Sequence, residues 1–184
     1  MNQLDPSNHD PEFLQLRKLT LIGVLTAVCV ASRIIKIPLP NVQPVTDILM
    51  ITTLFLGISY GLPLAVLTMI VSNLILGFGI WTIPQILAYL MVILTIFLLQ
   101  KVLPLKKYFG LQFLLSGLLG FEYGFFVSLG MTIWGGLAAF WAYYLNGILF
   151  DAFHALGNFC FYPLLYPPLR LLIAKYSANQ GEKN

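Results

Sequence analysis

The stretch that decides the class of this protein is PQILAYLMVILTIFLLQKVL, residues 84–103. Its only charged residue is Lys101, and almost all of its other side chains are apolar. About 20 mostly apolar residues are what an α-helix needs to cross the hydrocarbon core of a bilayer. The stretch therefore predicts a transmembrane helix.

The rest of the chain has the same character. Of its 184 residues, 59% are hydrophobic and 9% are charged, whereas about a quarter of the residues in a soluble domain are charged. A soluble fold could not cover that much apolar surface. With Pro and Gly as breaks, the sequence predicts an all-α polytopic membrane protein of six transmembrane helices, near 14–34, 47–60, 62–77, 84–103, 111–134 and 148–175.

The membrane domain is expected to cover residues 14–176, between polar tails at 1–13 and 177–184. The first tail carries acidic rather than basic residues, which argues against a cleaved signal peptide. Basic residues are retained on the cytoplasmic side of membrane helices. With six alternating spans, one side collects Arg17, Lys18, Lys101, Lys106, Lys107, Arg170, Lys175 and Lys183, and the other only Arg33 and Lys36. Both termini are therefore predicted to be cytoplasmic.

Three connections then lie on the outer side, at 35–47, 77–85 and 135–147. Each combines turn-forming residues with amide or aromatic side chains, and all three tryptophans, Trp81, Trp134 and Trp141, fall in or beside them. The tryptophans form either an interfacial belt or part of a ligand site. The connections are either solvated loops or the walls of a pocket for a small molecule that is partly polar and partly apolar.

Polar residues inside the predicted spans each require an explanation, because they are costly in lipid. Asp151, His154 and Asn158 lie on one face of the last helix, where they line a ligand cavity or form an internal hydrogen-bond network. Glu122, near the middle of the fifth span, is expected to be protonated or hydrogen-bonded to a neighbouring helix. Asp47 is interpreted as the cap of the second helix.

Small residues form a stripe on the first helix, where Gly23, Ala27 and Ala31 follow one another at four-residue spacing. Such a stripe lets another helix approach closely in lipid. From spacing alone, packing within the molecule is the favoured interpretation. The glycines at 117, 120 and 124 are interpreted in the same way.

Several functional classes lack support in the sequence. There is no P-loop, nucleophile elbow or HExxH motif, and the two cysteines and two histidines show no metal-binding spacing. We therefore expect no enzyme activity, no catalytic cofactor and no metal site. A net charge of +3 does not indicate nucleic acid. The chain is too short for two inverted transport halves, so energised transport would need a partner.

Four stretches resemble a known family and occur in the same order: PNVQPVT (40–46), VSNLILGFGIWTIPQILAY (71–89), FDAFHALGN (150–158) and YPPLRLL (166–172). They are similar to S components, the substrate-binding subunits of energy-coupling-factor (ECF) transporters of the ABC type, especially the group assigned to cobalamin, vitamin B12. The resemblance implies a six-helix protein that binds its vitamin from outside. It also implies docking on a transmembrane T component with two cytoplasmic ATPases, and toppling in the membrane to release the vitamin inside.

The resemblance also assigns roles to residues. Ala27 and Ala31 match the family's AxxxA docking motif, which replaces the interpretation of that stripe, including Gly23, as internal packing. Ligand contacts in the family come from outer loops and helix ends, which correspond here to Asn41, Gln43, Trp81 and Gln85. Amide groups of a corrinoid site would come from these and Asn146, apolar faces from Trp81, Trp134 and Trp141, and further polar groups from Asp151 and His154. An S component for a smaller vitamin or nucleobase-like compound, or a membrane enzyme or assembly factor, is the alternative.

Overall fold

A computed structural model of the chain describes residues 11–35 and 40–178. These residues form six α-helices and no strand, with α1 at Pro11–Ile34, α2 at Val45–Leu56, α3 at Ile58–Leu76, α4 at Thr82–Val102, α5 at Phe109–Gly130 and α6 at Thr132–Ala178. The predicted all-α fold of six helices is confirmed. Most of each predicted polar tail lies outside the described residues. The same holds for Lys36 in the first outer connection and for Lys183 in the second tail.

Five of the six helices are long and apolar enough to cross a membrane, and α2 is shorter, with 12 residues. Every residue of α2 from Val45 to Leu54 is buried, because α2 packs against each of the other five helices. A short helix is tolerated at membrane depth when its neighbours shelter it from lipid. This central helix therefore forms the core around which the long helices are arranged.

The break between α2 and α3 lies at Gly57, not at residues 60–63 as the sequence predicted. Gly57 has a φ of 92°, a left-handed conformation that glycine adopts without steric cost. Its amide donates to the carbonyl of Thr53 at 2.9 Å and closes α2. Pro63 lies inside α3 and does not end a helix.

The predicted outer connection at 135–147 is wrong, because these residues belong to α6. Only Gly136, with a φ of 60° and a ψ of −159°, departs from helical geometry. The residues that follow it, LAAFWAYYLN, contain neither Pro nor Gly and continue the helix. From there to Ala178 the helix is about 60 Å long at 1.5 Å per residue, about twice the thickness of the hydrocarbon core. The helix is thus longer than one crossing needs, and we call residues 137–147 near its start the projecting part of α6.

The basic residues assemble at one end of the bundle. The Arg17 guanidinium lies 5.3 Å from the centre of the Tyr176 ring, and the Lys18 ammonium 4.8 Å from that of Tyr60. The hydroxyls of Tyr60 and Tyr176 are 3.1 Å apart. The start of α1, the turn between α2 and α3, and the end of α6 thus meet at this end, which the positive-inside rule makes cytoplasmic.

Close contact between α5 and α6 depends on three glycines. A side chain at Gly120 would approach the backbone nitrogen of Ala155 to 2.7 Å, and one at Gly117 would overlap the ring of Phe159. At Gly124 it would overlap the carboxylate of Asp151. The prediction that these glycines serve internal packing is confirmed.

Candidate functional site

A cavity of about 530 Å³ opens at the outer end of the bundle, and we call it the outer cavity. The segment before α2, the start of α4, the second half of α5 and the projecting part of α6 contribute its walls. The lining residues are Pro40, Asn41, Gln85, Tyr123, Gly124, Val127, Ser128, Ala142, Tyr143, Asn146, Gly147, Phe150 and Asp151. The volume is within the range of about 300–1,000 Å³ that is usual for small-molecule sites.

Three amide side chains line this cavity. Asn41 donates through Nδ2 to the carbonyl of Phe150 at 3.3 Å, which ties the segment before α2 to α6. Asn146 donates to the carbonyl of Ala142 at 2.7 Å, so its own carbonyl oxygen has no partner among the described residues. The Gln85 oxygen accepts from Asn73 Nδ2 at 2.9 Å. The cavity therefore offers both amide donors and amide acceptors to a ligand.

A polar chain runs from Gln85 into the bundle and ends at a cation. Asn73 also donates to Thr82 Oγ1 at 3.1 Å, and its oxygen lies 3.4 Å from Nη2 of Arg33. Nη1 of Arg33 lies 3.4 Å from the Met69 sulfur, and Nε is buried without a partner in the described structure. Arg33, in the last turn of α1, thus points into the bundle.

A buried polar cluster lies next to the cavity. Thr46 Oγ1 is 2.8 Å from His154 Nε2 and 3.4 Å from the Tyr89 hydroxyl. The Tyr89 and Tyr123 rings are 4.4 Å apart between centroids, and the Tyr123 and His154 rings meet edge to face at 5.2 Å. Tyr123 also lines the cavity. A ligand that contacts the Tyr123 ring would therefore touch a side chain that packs on Tyr89 of α4 and His154 of α6. Both of those residues in turn contact Thr46 of α2.

The three polar residues on one face of α6 divide between the two predicted roles, a ligand cavity and an internal hydrogen-bond network. Asp151 lines the outer cavity. His154 is buried in the cluster around Thr46, and Asn158 is buried and donates to the carbonyl of Ser116 at 2.7 Å. Asp151 is thus available to a ligand, whereas His154 and Asn158 make contacts within the bundle.

The structure brings together four of the predicted ligand residues, Asn41, Gln85, Asn146 and Asp151, around one cavity. Gln43, the three tryptophans and His154 are not part of its lining. Trp81, Trp134 and Trp141 are each between 44% and 55% exposed. Trp141 packs on the ring of Phe140 at 5.0 Å, on the projecting part of α6.

Four residues around the cavity were missed by the sequence analysis: Arg33, Asn73, Tyr89 and Tyr123. Arg33 had served only to orient the chain, and Tyr89 and Tyr123 lie in apolar runs without a motif. Asn73 carried a usable signal, since an amide within a membrane span must find a partner. Its partners come from two other parts of the sequence, Arg33 from the end of α1 and Thr82 and Gln85 from the start of α4.

The stripe of small residues on α1 faces away from the bundle. Gly23, Ala27 and Ala31 are exposed, and nothing lies within 4 Å of a side chain built at Gly23. The opposite face of α1, including Leu25 and Cys29, is buried against the core. Packing within the chain therefore does not account for the stripe.

Two further acidic residues, Glu122 and Asp47, have different surroundings. Glu122 accepts a hydrogen bond from Thr95 Oγ1 on α4 at 2.6 Å, which confirms the expected bond to a neighbouring helix. Asp47 lies in the first turn of α2, but both carboxylate oxygens are buried without a partner in the described structure. Its interpretation as a hydrogen-bonded cap is wrong, because α2 begins at Val45, two residues before it.

Comparison with known proteins identifies the family. The family model "ECF transporter, substrate-specific component" matches residues 17–166. No curated protein and no solved structure matches the chain. Members of the family are multi-pass membrane proteins that bind a substrate for a transporter and are not enzymes. They dock on an ECF T component and its ATPases. Because the match covers most of the sequence, the chain belongs to the family of substrate-specific components of ECF transporters.

Proposed function

We propose that this S component binds cobalamin or a closely related corrinoid in the outer cavity and delivers it to the energising module of its transporter. The observation that carries the proposal is the set of amides, Asn41, Gln85 and Asn146, around an open cavity at the outer end. A corrinoid is a flat macrocycle surrounded by amide side arms, and amides pair with such arms as donors and acceptors. The resemblance of four sequence stretches to the cobalamin group supports the same ligand.

The outer cavity is open at its mouth, which suits a ligand as large as a corrinoid. A molecule larger than the 530 Å³ of the cavity would be held in part above its mouth. Tyr143 and Phe150 of α6 and Tyr123 of α5 provide aromatic surface in the cavity wall. Aromatic rings provide large apolar contact area to a flat ligand.

The cavity volume of about 530 Å³ favours a second candidate, a smaller vitamin that fits entirely within the cavity. The same amides would then pair with a heterocycle, and Tyr123 and Phe150 would supply apolar contact. This candidate keeps the transporter role and changes only the substrate.

We further propose that Gly23, Ala27 and Ala31 form the surface of α1 that docks on the T component. Their exposure supports this role, since small residues allow the close helix approach that association in lipid requires. Docking would couple this chain to the ATPases that supply the energy, since the sequence contains no nucleotide-binding motif of its own.

The substrate is tested in a cobalamin-auxotrophic strain that lacks its own importer. Growth on cobalamin should require this chain together with the T component and its ATPases. Native mass spectrometry of the purified chain should show a co-purified corrinoid. Failure of the complete complex to support growth, with tight binding of a smaller vitamin instead, would replace the substrate and keep the S-component role. Uptake by this chain alone would refute the mechanism.

A further inference from the structure

A second cavity, of about 380 Å³, lies at the cytoplasmic end of the bundle, and substrate binding at the outer end makes no use of it. We call it the cytoplasmic cavity. It is bounded by Phe55 near the end of α2, by Lys106 in the connection between α4 and α5, and by the α6 residues Arg170, Ile173, Ala174, Ser177 and Ala178. It therefore lies between the ends of membrane helices, where the lipid headgroups begin.

The two cations at this cavity are positioned by the fold. The Arg170 guanidinium lies over the Phe55 ring, 3.8 Å from its centre. Lys106 follows Leu105, which is buried and whose carbonyl accepts from Gln112 Nε2 at 2.6 Å. The Gln112 oxygen accepts in turn from the Tyr162 hydroxyl on α6 at 2.5 Å. The backbone that carries Lys106 is thus fastened to the same helix that carries Arg170.

No carboxylate is among the residues that line the cytoplasmic cavity in the described structure. Of the four described carboxylates, Glu12 lies in the first turn of α1, Asp47 and Glu122 lie within α2 and α5, and Asp151 lines the outer cavity. The Ser177 hydroxyl adds a neutral donor to the two cations, and Ile173 and Ala174 add apolar surface. Two cations and a hydroxyl donor, with no carboxylate among the lining residues that the structure describes, are suited to a phosphate group.

We propose that the cytoplasmic cavity binds the phosphate headgroup of an anionic phospholipid from the cytoplasmic leaflet. Basic pockets between helices on the cytoplasmic side of a membrane are a known form of anionic lipid site. Exposed apolar side chains lie close in sequence to its two cations, with Val102 and Leu103 shortly before Lys106 and Leu171 and Leu172 directly after Arg170. These side chains offer contact to acyl chains, which a soluble phosphate lacks.

The proposal is tested by native mass spectrometry of the detergent-solubilised chain titrated with phosphatidylglycerol or phosphatidylcholine of identical acyl chains. Phosphatidylglycerol should bind more tightly. Arg170→Gln and Lys106→Gln should each weaken its binding about fivefold and leave phosphatidylcholine unaffected. Lys101→Gln is the matched control, because Lys101 lies over the Phe97 ring, 4.2 Å from its centre, and is not part of the cavity lining. Its affinity for phosphatidylglycerol should not change.

Three results would overturn the site. Equal binding of the two lipids would remove the headgroup preference. An equal loss in Lys101→Gln would assign the effect to the general positive charge of this membrane face. Displacement of phosphatidylglycerol by an equal concentration of glycerol 3-phosphate would assign the cavity to a soluble phosphate. If Arg170→Gln fails to fold, Lys106→Gln decides, because Lys106 is exposed in a connection.

Discussion

The carboxylate of Asp151 on α6 occupies the space that a methyl group at Gly124 on α5 would need. Both residues line the outer cavity, so this close contact between the two helices is also part of its wall. Because α5 and α6 also meet closely at Gly117 and Gly120, a side chain at 124 would force the Asp151 side chain or α6 to move.

Gly124→Ala should therefore destabilise the protein by about 1–3 kcal/mol, the usual cost of overpacking, and weaken ligand binding. Gly110→Ala is the control, because nothing lies within 4 Å of a side chain built there and alanine favours a helix. Thermal unfolding in detergent measures both changes. Equal stability of the two variants would show that α6 can shift to make room for a methyl group.

Removing an amide from the outer cavity should weaken binding of cyanocobalamin. We expect Gln85→Ala and Asn41→Ala each to cost about 1–3 kcal/mol, the penalty for leaving a partner unsatisfied. Gln100→Ala removes an amide near the opposite end of α4 and should leave the affinity unchanged. Titration calorimetry in detergent compares the three. Full affinity in both cavity variants would exclude the outer cavity as the site.

The same titration decides the predicted role of Trp81 and Gln43, which are not part of the cavity lining. A loss in Trp81→Ala or Gln43→Ala as large as that in Gln85→Ala would mean that these connections close over the bound ligand. Unchanged affinity in both would remove them from the site.

Arg33 should matter for binding although it does not line the cavity. Arg33 is hydrogen-bonded to Asn73, and Asn73 is hydrogen-bonded to Gln85. Arg33→Met should therefore leave the Gln85 side chain less firmly positioned. We expect a loss of about 1–3 kcal/mol in cyanocobalamin affinity. Lys101→Met, which removes a cation from the cytoplasmic end, is the control. Equal affinity in the Arg33 variant would show that the chain of hydrogen bonds does not position Gln85.

The exposed stripe on α1 should be needed for transport and not for ligand binding. Ala27→Trp or Ala31→Trp should abolish uptake and co-purification with the T component, because an indole ring prevents close helix approach. Ligand affinity should stay within twofold, since both side chains are exposed on the outer face of α1 and neither is part of the outer cavity lining. Leu98→Trp, at an exposed position on α4, is the control. Normal transport by both alanine variants would exclude this surface as the docking site.

Glu122 and Thr95 should be coupled energetically through their bond between α4 and α5. Thr95→Val leaves the Glu122 carboxyl without its donor and should cost about 1–3 kcal/mol of stability. Glu122→Leu in the same chain should recover most of that loss, because it removes the unsatisfied partner. Unfolding in detergent of the two single variants and the double variant measures the coupling. Additive effects would show that the pair contributes no interaction energy.

The sequence by itself was sufficient for the class, the number of helices and the family. Each follows from local patterns, such as the apolar run at 84–103 and the four family stretches, and lipid permits few folds for such runs. It also located the small residues on α1 and α5 by spacing. Spacing could not decide which stripe is internal, since both consist of small residues on one helix face. The structure shows Gly117, Gly120 and Gly124 of α5 against α6, and Gly23, Ala27 and Ala31 of α1 exposed.

Only the tertiary structure decided which polar residues share a site. Arg33, Asn73 and Gln85 are far apart in the sequence and meet because α1, α3 and α4 pack side by side at the outer end. It also decided that residues 137–147 form a wall of the cavity and not a loop, since Gly136 alone interrupts α6. A glycine predicts a possible break, but whether the chain turns there depends on the contacts that the following residues make. Those contacts, with α5 and the segment before α2, exist only in the folded bundle.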